Sequence, residues 1–392
     1  MKRSLLAFLL CVSAAILLLQ KAEQSVLAAP DAPSVTFRDV TRQAGIRFVH
    51  NNGAFGKKYL PETMGPGVAF IDYDNDGWPD IFLANGMDWP GHVQKHSTPK
   101  LYHNNHDGTF TDVGVAAGLA YGEAGTARAG MGTDAADYDN SGWQSLVLGN
   151  FTNESMSLYH NDGSGLFTDE APKTGIATMS NKSLTFGTFF FDYDLDGLPD
   201  ILAVNGHVSD DISVVQPNVK YAQPPHLFRN LGHNKFEEVT TKVGTALPRP
   251  IVGRGAAYAD VDNDGDLDLV ITANNGTARL LRNDNGNKND MLRVKTIGTR
   301  SNRDGIGAKV TVTTANGTHL FGMVKTGSSY LSQSELPLTF GLGKPEALKT
   351  VSLEIVWPSG HKDSVSSVKA NQFITVQEGK GIISAQALPF AH

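Results

Sequence analysis

The most informative segment of this chain is Asp72-Tyr73-Asp74-Asn75-Asp76-Gly77-Trp78-Pro79-Asp80, which has carboxylates at positions 1, 3, 5 and 9 and glycine at position 6. Ca²⁺ takes about 6–8 oxygen ligands at roughly 2.3–2.6 Å. Glycine permits the sharp turn that gathers such ligands. The segment therefore predicts a calcium loop whose ligands are the side chains of Asp72, Asp74, Asp76 and Asp80 and the backbone carbonyl of Trp78.

The same pattern recurs three times further along the chain. Two copies are complete, whereas the copy at Asp137 has serine at positions 5 and 9 and has lost two charges. We expect weak calcium binding or none in that copy. A single Asp/Gly cluster is typical of a solvated turn, but repetition with one spacing favours calcium loops. The predicted ligands are Asp137, Asp139 and Ser141; Asp192, Asp194, Asp196, Leu198 and Asp200; and Asp260, Asp262, Asp264, Asp266 and Asp268.

The residues around each loop exclude an EF-hand. An EF-hand requires a bidentate glutamate at position 12 and helices on both sides. Position 12 is Leu83, Ala203 or Ile271 in the complete copies, and short apolar runs such as 67–71 and 81–84 flank the loops. Such runs predict strands that are buried on both faces. Each loop is therefore expected to connect the two strands of a β-hairpin.

Residues 34–288 form a repeat array. A second hairpin pattern follows each of the first three loops, for example 101–104 (LYHN) before 110–113 (FTDV). Four strands per repeat predict one blade of a β-propeller. Four repeats are counted, although degenerate blades could add to that number. The last repeat lacks its fourth strand, and 35–40 (VTFRDV) has the matching pattern, so pairing the two would close a ring.

Residues 289–380 alternate apolar and polar side chains in several runs, such as 291–297 and 351–356. This alternation predicts a half-buried antiparallel sheet and hence a small β-sandwich. Trp357 follows a predicted strand, and we interpret it as a core residue rather than a ligand. Residues 381–392 are expected to form a tail. The fold class is therefore all-β, with a propeller followed by a sandwich.

The amino terminus predicts export. A short basic start precedes an apolar run over 5–19, which is too short to span a bilayer comfortably, and small residues follow near Ala28. Residues 1–28 are interpreted as a signal peptide; an uncleaved anchor is the alternative. Cleavage would remove Cys11, the single cysteine, and leave an acidic chain without another long apolar run. We therefore expect a secreted or periplasmic protein with no membrane span and no nucleic-acid partner.

The repeats resemble FG-GAP/VCBS repeats, which occur in calcium-bearing propellers. The C-terminal region resembles the ASPIC/UnbV domain, and the whole mature chain is similar to the cartilage-acidic-protein-like family. The resemblance implies an extracellular protein. Members usually have about seven repeats, so a ring of four raises the possibility of closure by dimerisation. The matching segments are 301–308 (SNRDGIGA), 327–334 (GSSYLSQS), 340–343 (FGLG), 357–360 (WPSG), 59–65 (YLPETMG) and 204–207 (VNGH).

Two functions are compatible with this sequence. The first, which we favour, is a calcium-stabilised binding or adhesion module for an extracellular protein or glycan. The second is an exported lyase or hydrolase that uses a polar cluster in the propeller funnel. The catalytic candidates for the second are His50, Glu62, His207 and Arg254, with Tyr221 and His226 nearby in sequence. His103 and His160 occupy equivalent repeat positions, where the third repeat has Arg229, and are interpreted as structural.

Overall fold

The computed structural model describes residues 38–56, 67–88, 91–92, 97–122, 125, 128–344 and 349–388. The predicted signal peptide, Glu62 and most of the predicted strand 35–40 lie outside these residues. The chain divides into two compact units, Met1–Thr41 and Arg42–His392. In the first unit, 38–40 form no strand, and the amide of Thr41 donates to Asp39 (3.0 Å). The remaining description concerns the second unit.

The repeat array forms four antiparallel sheets, which we call blades 1 to 4. The prediction of four-stranded repeats with an incomplete last one is confirmed. Blade 1 contains β1 (Val68–Ile71), β2 (Asp80–Leu83), β3 (Lys100–Asn104) and β4 (Phe110–Asp112); blade 2 contains β5 (Thr133–Ala136), β6 (Ser145–Leu148), β7 (Ser157–Asn161) and β8 (Phe167–Asp169); blade 3 contains β9 (Thr185–Phe191), β10 (Asp200–Asn205), β11 (His226–Asn230) and β12 (Phe236–Glu238); and blade 4 contains β13 (Gly253–Ala259), β14 (Asp268–Ala273) and β15 (Gly276–Leu281).

The blades pack face to face in chain order. Their innermost strands β1, β5, β9 and β13 are successive neighbours. Apolar side chains alternate between the faces of each sheet and fill a separate core at each of the three junctions. β9 and β10 are buried on both faces as predicted. The prediction is wrong for β1 and β14, because Phe70 and Val270 are exposed on the outer faces of the end blades.

Short helices lie in the connections between strands. They are α1 (Ala171–Thr174), α2 (Ile176–Ser180) and α3 (Ile212–Val215), and a 3₁₀ turn covers Gly286–Lys288. Gly175 separates α1 from α2 with a φ of 89°, a conformation that glycine adopts without strain. No helix in the described part of the chain is long and apolar enough to cross a membrane.

The C-terminal region is a sandwich of two four-stranded sheets, as predicted, but the prediction of antiparallel pairing is wrong for one pair, because residues 292–297 run parallel to residues 372–377. One sheet has the order β19-β16-β22-β23 and the other β18-β17-β20-β21. The expectation of a tail after residue 380 is wrong, since β23 pairs antiparallel with β22. The strands are β16 (Asp290–Ile297), β17 (Lys309–Thr313), β18 (His319–Met323), β19 (Leu338–Gly343), β20 (Thr350–Val356), β21 (Lys362–Lys369), β22 (Gln372–Gln377) and β23 (Gly381–Ala387).

Trp357 confirms its interpretation as a core residue. Its side chain is buried among the apolar residues of the sandwich. The indole N–H donates to Asp363 (2.8 Å), so the one polar atom of the ring is satisfied.

One loop of the sandwich reaches the inner strands of the propeller. We call residues 327–334 the axial loop. Ser329 forms an isolated β-bridge with Thr133 on β5. Tyr330 packs edge-on against Phe186 on β9, with ring centroids 5.1 Å apart. A Cβ atom on Gly187 would lie 2.8 Å from Ser329 Oγ, so glycine allows this close approach.

Ion pairs also join the sandwich to the blades. Arg293 on β16 is fully buried and pairs with Asp260 and Glu335. Lys309 on β17 pairs with Asp72, and Lys325 pairs with Asp134 on β5. Because a buried charge without a partner is very costly, these pairs restrict the sandwich to one position on the blades.

Glu378 holds together two loops at one end of the sandwich through hydrogen bonds to residues 299–301 and to Ser359. Its Oε2 accepts hydrogen bonds from three consecutive amides, those of Thr299 (2.7 Å), Arg300 (2.7 Å) and Ser301 (2.8 Å). Ser301 and Ser359 donate their hydroxyls to Oε1. These donors favour the ionised form and, despite the opposing effect of burial, hold the pKa of Glu378 well below its usual range.

We therefore expect Glu378→Gln to lower the free energy of unfolding by about 1.5–3 kcal/mol near neutral pH, because hydrogen bonds to a charged acceptor are lost. The lowered pKa makes this contribution complete above the unfolded-state pKa of about 4.3, and it decreases as the pH falls below that value. Urea unfolding across this pH range measures both effects. Glu354→Gln, at an exposed position on β20, is the control; equal effects of the two substitutions would contradict the prediction.

Candidate metal centres

The four Asp-rich loops share one backbone conformation. Each connects the first two strands of its blade. Position 6 is glycine with φ between 88° and 100° in every copy. Position 4 is also left-handed, with φ between 55° and 60° at Asn75, Asn140, Leu195 and Asn263. Leucine is a poor residue for this conformation, so the loop at Asp192 is held in it by its surroundings rather than by local preference.

Three loops bring carboxylates together in the same way. In each, the side chains at positions 1, 3 and 9 offer oxygens within 4.8 Å of one another. Acidic oxygens at this spacing match the ligand preference of Ca²⁺. The three groups are Asp72, Asp74 and Asp80; Asp192, Asp194 and Asp200; and Asp260, Asp262 and Asp268.

The position-9 carboxylate also has a structural role that its sequence pattern did not reveal. In the first loop, Asp80 accepts the amide of Asn104 (2.8 Å) on β3 and the amide of Tyr73 (3.2 Å) within the loop. Asp200 and Asp268 make the equivalent pairs of bonds. This residue therefore ties the loop to the third strand of its own blade whether or not a cation is bound.

Several carboxylate oxygens in the loops are buried without a hydrogen-bond partner. They include Oδ1 of Asp72, Asp74, Asp194 and Asp266. Asp72 and Asp266 have almost no exposed surface. A buried carboxylate oxygen without a partner is costly, and a bound cation would remove that cost.

The electrostatics of the loops also fit a cation. Burial and the neighbouring carboxylates raise the pKa values of Asp192 and Asp200 well above the ordinary range. Burial raises the pKa of Asp80 to about 6, and burial together with Asp264 raises that of Asp266 to about 8. Each pKa is raised because negative charge is unfavourable in a buried site close to other carboxylates. A bound divalent cation would stabilise the ionised carboxylates and so lower these pKa values.

The predicted ligands at positions 5 and 7 are placed differently. Asp76 pairs with His106, Asp196 lies 3.0 Å from Arg229, and Asp264 accepts from Asn287 (2.9 Å). Position 5 does not belong to the three carboxylate groups, but in the first loop Asp76 forms a further possible metal group with Asp74 and His103, whose ligand atoms lie within 4.8 Å of one another. The Trp78 ring stacks on His106 with centroids 5.0 Å apart. Ligation by the backbone carbonyls of Trp78, Leu198 and Asp266 stays a prediction.

The loop at Asp137 has the same hydrogen bonds as the other loops but fewer carboxylates. Asp137 accepts the amides of Ser141 (2.9 Å) and Gly142 (2.8 Å). Ser145, at position 9, accepts the amide of Asn161 (3.0 Å) through its hydroxyl and so preserves the tie to the third strand. Only Asp137 and Asp139 supply carboxylates. The loop keeps its shape with less negative charge, as expected for weak calcium binding or none.

A basic residue on the third strand lies beside each loop. Arg229 Nε lies 2.7 Å from Asp194, and His103 Nδ1 lies 3.3 Å from both Asp74 and Asp80. His160 and Arg282 occupy the equivalent places, 3.6 Å and 4.0 Å from position 3 of their loops. The sequence reasoning interpreted His103 and His160 as structural and did not place them at the metal centre. Their fixed position after each loop was the available signal.

The structure brings together two of the four catalytic candidates. Arg254 donates to the carbonyls of Gly206 (3.1 Å) and His207 (3.3 Å), and its guanidinium lies 4.1 Å from the Phe186 ring centroid. The Nδ1 of His207 accepts the amide of Ser209 (3.0 Å), and its backbone N–H donates to Tyr221 (2.8 Å). These hydrogen bonds all involve backbone groups, and Tyr330 of the axial loop packs on the same Phe186 ring.

The other candidates are placed elsewhere. His50 lies near Gly86 at blade 1, and Glu62 is outside the described residues. Burial lowers the pKa of His50 and of His207, which favours neutral imidazoles. His226 lies 3.4 Å from Glu238 within blade 3. The enzyme hypothesis therefore stays a prediction.

Comparison with protein-family models agrees with this geometry. The FG-GAP-like repeat model matches 72–148, 137–203 and 204–271, which together cover the loops and about half of the chain. The chain belongs to the FG-GAP repeat family. The ASPIC and UnbV model matches 298–383. The predicted family and fold class of this FG-GAP protein are confirmed.

Curated relatives are cartilage acidic proteins. Cartilage acidic protein 1 of Homo sapiens is 29% identical over 358 residues, covering 87% of this chain and 46% of the human protein. The Xenopus tropicalis protein is 28% identical over 309 residues, covering 76% of this chain and 42% of that protein. The FG-GAP protein thus spans less than half the length of these relatives.

Two solved structures share a more distant similarity. An Agrocybe aegerita lectin that recognises non-reducing terminal N-acetylglucosamine is 17% identical, with a TM-score of 0.28 over 55% of this chain and 51% of the lectin. The V. cholerae biofilm matrix protein Bap1 is 11% identical, with a TM-score of 0.27 over 82% of this chain and 49% of Bap1. TM-scores this low support no conclusion about the FG-GAP protein.

Positions 3 and 9 of one loop are expected to respond differently to substitution when no calcium is present. Asp200→Ala leaves the buried amides of Tyr193 and Asn230 without an acceptor, so we expect a loss of about 2–4 kcal/mol of stability in chelator. Asp194→Ala removes a carboxylate from a crowded loop and is expected to change stability by less than about 1 kcal/mol. Urea unfolding in excess chelator measures both, and equal losses would show that position 9 has no separate structural role.

Proposed function

We propose that this protein is an exported binding module whose propeller is stabilised by Ca²⁺ in three of its four Asp-rich loops. The observation that carries the proposal is the repeated group of carboxylates at positions 1, 3 and 9. Buried unpartnered oxygens at Asp72 and Asp194 support it. A cation that binds only the folded loops stabilises the folded state by mass action. Such a role suits a chain whose single cysteine, Cys11, lies in the predicted signal peptide.

The face opposite the metal loops is proposed as the partner-binding face. In an antiparallel blade, the connection between strands 1 and 2 lies at one end, and those between strands 2 and 3 and between blades lie at the other. The second set carries the large apolar side chains of Met179, Val214 and Val215, which are exposed. Leu331 of the axial loop, beside the start of β13, is 92% exposed. Exposed apolar groups of this kind fit a protein or glycan partner.

Calcium removal tests the first part of the proposal. We expect excess chelator to lower the thermal unfolding midpoint by roughly 5–15 °C, because up to three bound ions are lost. Asp192→Ala is expected to remove part of that shift. Asp139→Ala, in the loop with two fewer charges, is the matched control and should retain the shift. Differential scanning calorimetry with and without Ca²⁺ measures this, and a midpoint that is insensitive to Ca²⁺ would overturn the proposal.

Substitutions on the opposite face test the second part. The double variant Val214→Asp/Val215→Asp places charges on α3 without touching the metal loops. We expect it to lose binding to arrayed glycans and extracellular matrix proteins that the unaltered protein binds in Ca²⁺. Ile383→Asp, at a half-exposed position on β23, is the control for added charge. Unchanged binding by the α3 variant would exclude this face.

A further inference from the structure

We propose that the two end faces of the blade array bind each other between two copies of this chain, head to tail. Each blade has a leading face, which faces the preceding blade, and a trailing face, which faces the following one. Both are covered at the three internal junctions. The leading face of blade 1 and the trailing face of blade 4 have no neighbouring blade among the described residues.

Both faces leave apolar side chains exposed, although Tyr102 on the leading face of blade 1 is buried and its hydroxyl accepts the amide of Arg47 (3.1 Å). On blade 1, Phe70 and Val68 are 64% and 59% exposed. On blade 4, Leu280 is 64% exposed and pairs across the sheet with Val270, which is also exposed. At the first internal junction the corresponding surfaces are fully buried, for example Leu101 of blade 1 in the same core as Leu146 of blade 2. Exposed apolar sheet faces of this kind mark association surfaces.

A repeated hydrogen bond shows which faces fit together. The asparagine that ends the third strand of each later blade donates to the position-2 carbonyl in the metal loop of the preceding blade. Asn161 donates to Tyr73 (2.8 Å), Asn230 to Tyr138 (2.7 Å) and Asn283 to Tyr193 (2.8 Å). This bond therefore forms at every junction between a trailing face and a leading face.

The two ends of the array carry a donor and an acceptor that could form a fourth bond of this kind. Asn161 and Asn230 each use their side-chain amide twice, once within the blade and once across the junction. Among the described residues, the side-chain amide of Asn104 in blade 1 donates only within the blade, to Pro79 (3.0 Å). The Val261 carbonyl, at position 2 of the last loop, has no donor among the described residues. Asn104 of one copy could donate to Val261 of another.

A second hydrogen bond joins the same pair of faces at two of the three junctions, with its donor on the earlier blade. Asn75 at position 4 of the first loop donates to the Gly142 carbonyl (2.8 Å), and Asn140 donates to Gly197 (3.2 Å). Asn263 occupies position 4 of the last loop and has no following loop in its own chain. The equivalent acceptor would be Gly77 in blade 1 of a second copy.

These observations select a second copy as the occupant. The surface that fits a trailing face is a leading face with a free asparagine, and this chain carries one of each. Such a contact is heterologous, so it closes a ring if the rotation between copies permits and otherwise extends a filament. In either case the same pair of surfaces is used at every contact.

Complementing variants test the proposal on the full secreted chain. Phe70→Asp blocks only the leading face, and Leu280→Asp blocks only the trailing face. We expect the unaltered protein to sediment as a dimer or larger assembly and each variant to sediment as a monomer. An equimolar mixture should form a dimer, since each variant retains the face that the other has lost. Analytical ultracentrifugation across a concentration series measures all three.

Two further variants serve as controls for the assembly measurements. Ile383→Asp alters an exposed apolar residue on β23 of the sandwich, away from both faces, and should leave the mass unchanged. Asn104→Ala should raise the dissociation constant by about tenfold, as expected for one lost hydrogen bond. A monomeric unaltered protein would overturn the proposal, and so would single variants that keep the unaltered mass. Monomeric single variants that do not associate on mixing would also overturn it, because head-to-tail binding requires complementation.

Discussion

The structure depends on a carboxylate that starts the second strand in three of the four blades. Asp80, Asp200 and Asp268 each accept one amide from their own loop and one from the end of the third strand. The bond to the third strand sets where that strand ends and therefore where its terminal asparagine lies. That asparagine then binds the loop of the preceding blade at the three internal junctions. One short-range contact thus links loop shape, blade shape and blade packing.

The sandwich is also attached at the Asp-rich loops. Arg293 and Lys309 pair with the position-1 carboxylates Asp260 and Asp72, which belong to two of the three predicted calcium groups. Cations from the sandwich and a bound ion would therefore act on the same carboxylates. Because these groups are buried, their interactions are screened less by salt than surface pairs are. Metal occupancy and sandwich attachment are expected to influence one another through these two residues.

The axial loop packs where the sequence analysis placed a catalytic funnel. A funnel lined by catalytic groups requires open space around them. Here Tyr330 packs against Phe186, and Arg254 lies over the same ring while donating to backbone carbonyls. These contacts give Arg254 and the axial loop a role in joining sandwich and blades.

The sequence alone determined the loops, the repeat and the all-β fold, because these depend on local rules. Ligand spacing, a glycine at position 6 and alternating apolar residues act within a few residues of one another. It also indicated the missing fourth strand of the last blade. Sequence reasoning could not show that β23 follows the presumed end of the sandwich, since its residues 381–387 lack a clear alternating pattern.

Tertiary structure alone decided which groups meet across long separations. Lys309 reaches Asp72 across 237 positions, and the axial loop reaches Thr133 from another domain. No periodic pattern in the sequence predicts either contact. The same holds for exposure: Phe70 has the pattern of a core residue, yet it is exposed because burial depends on whether a neighbouring blade is present. Local chemistry specifies each blade, whereas the packing of blades against one another decides which sheet faces are buried and which are exposed.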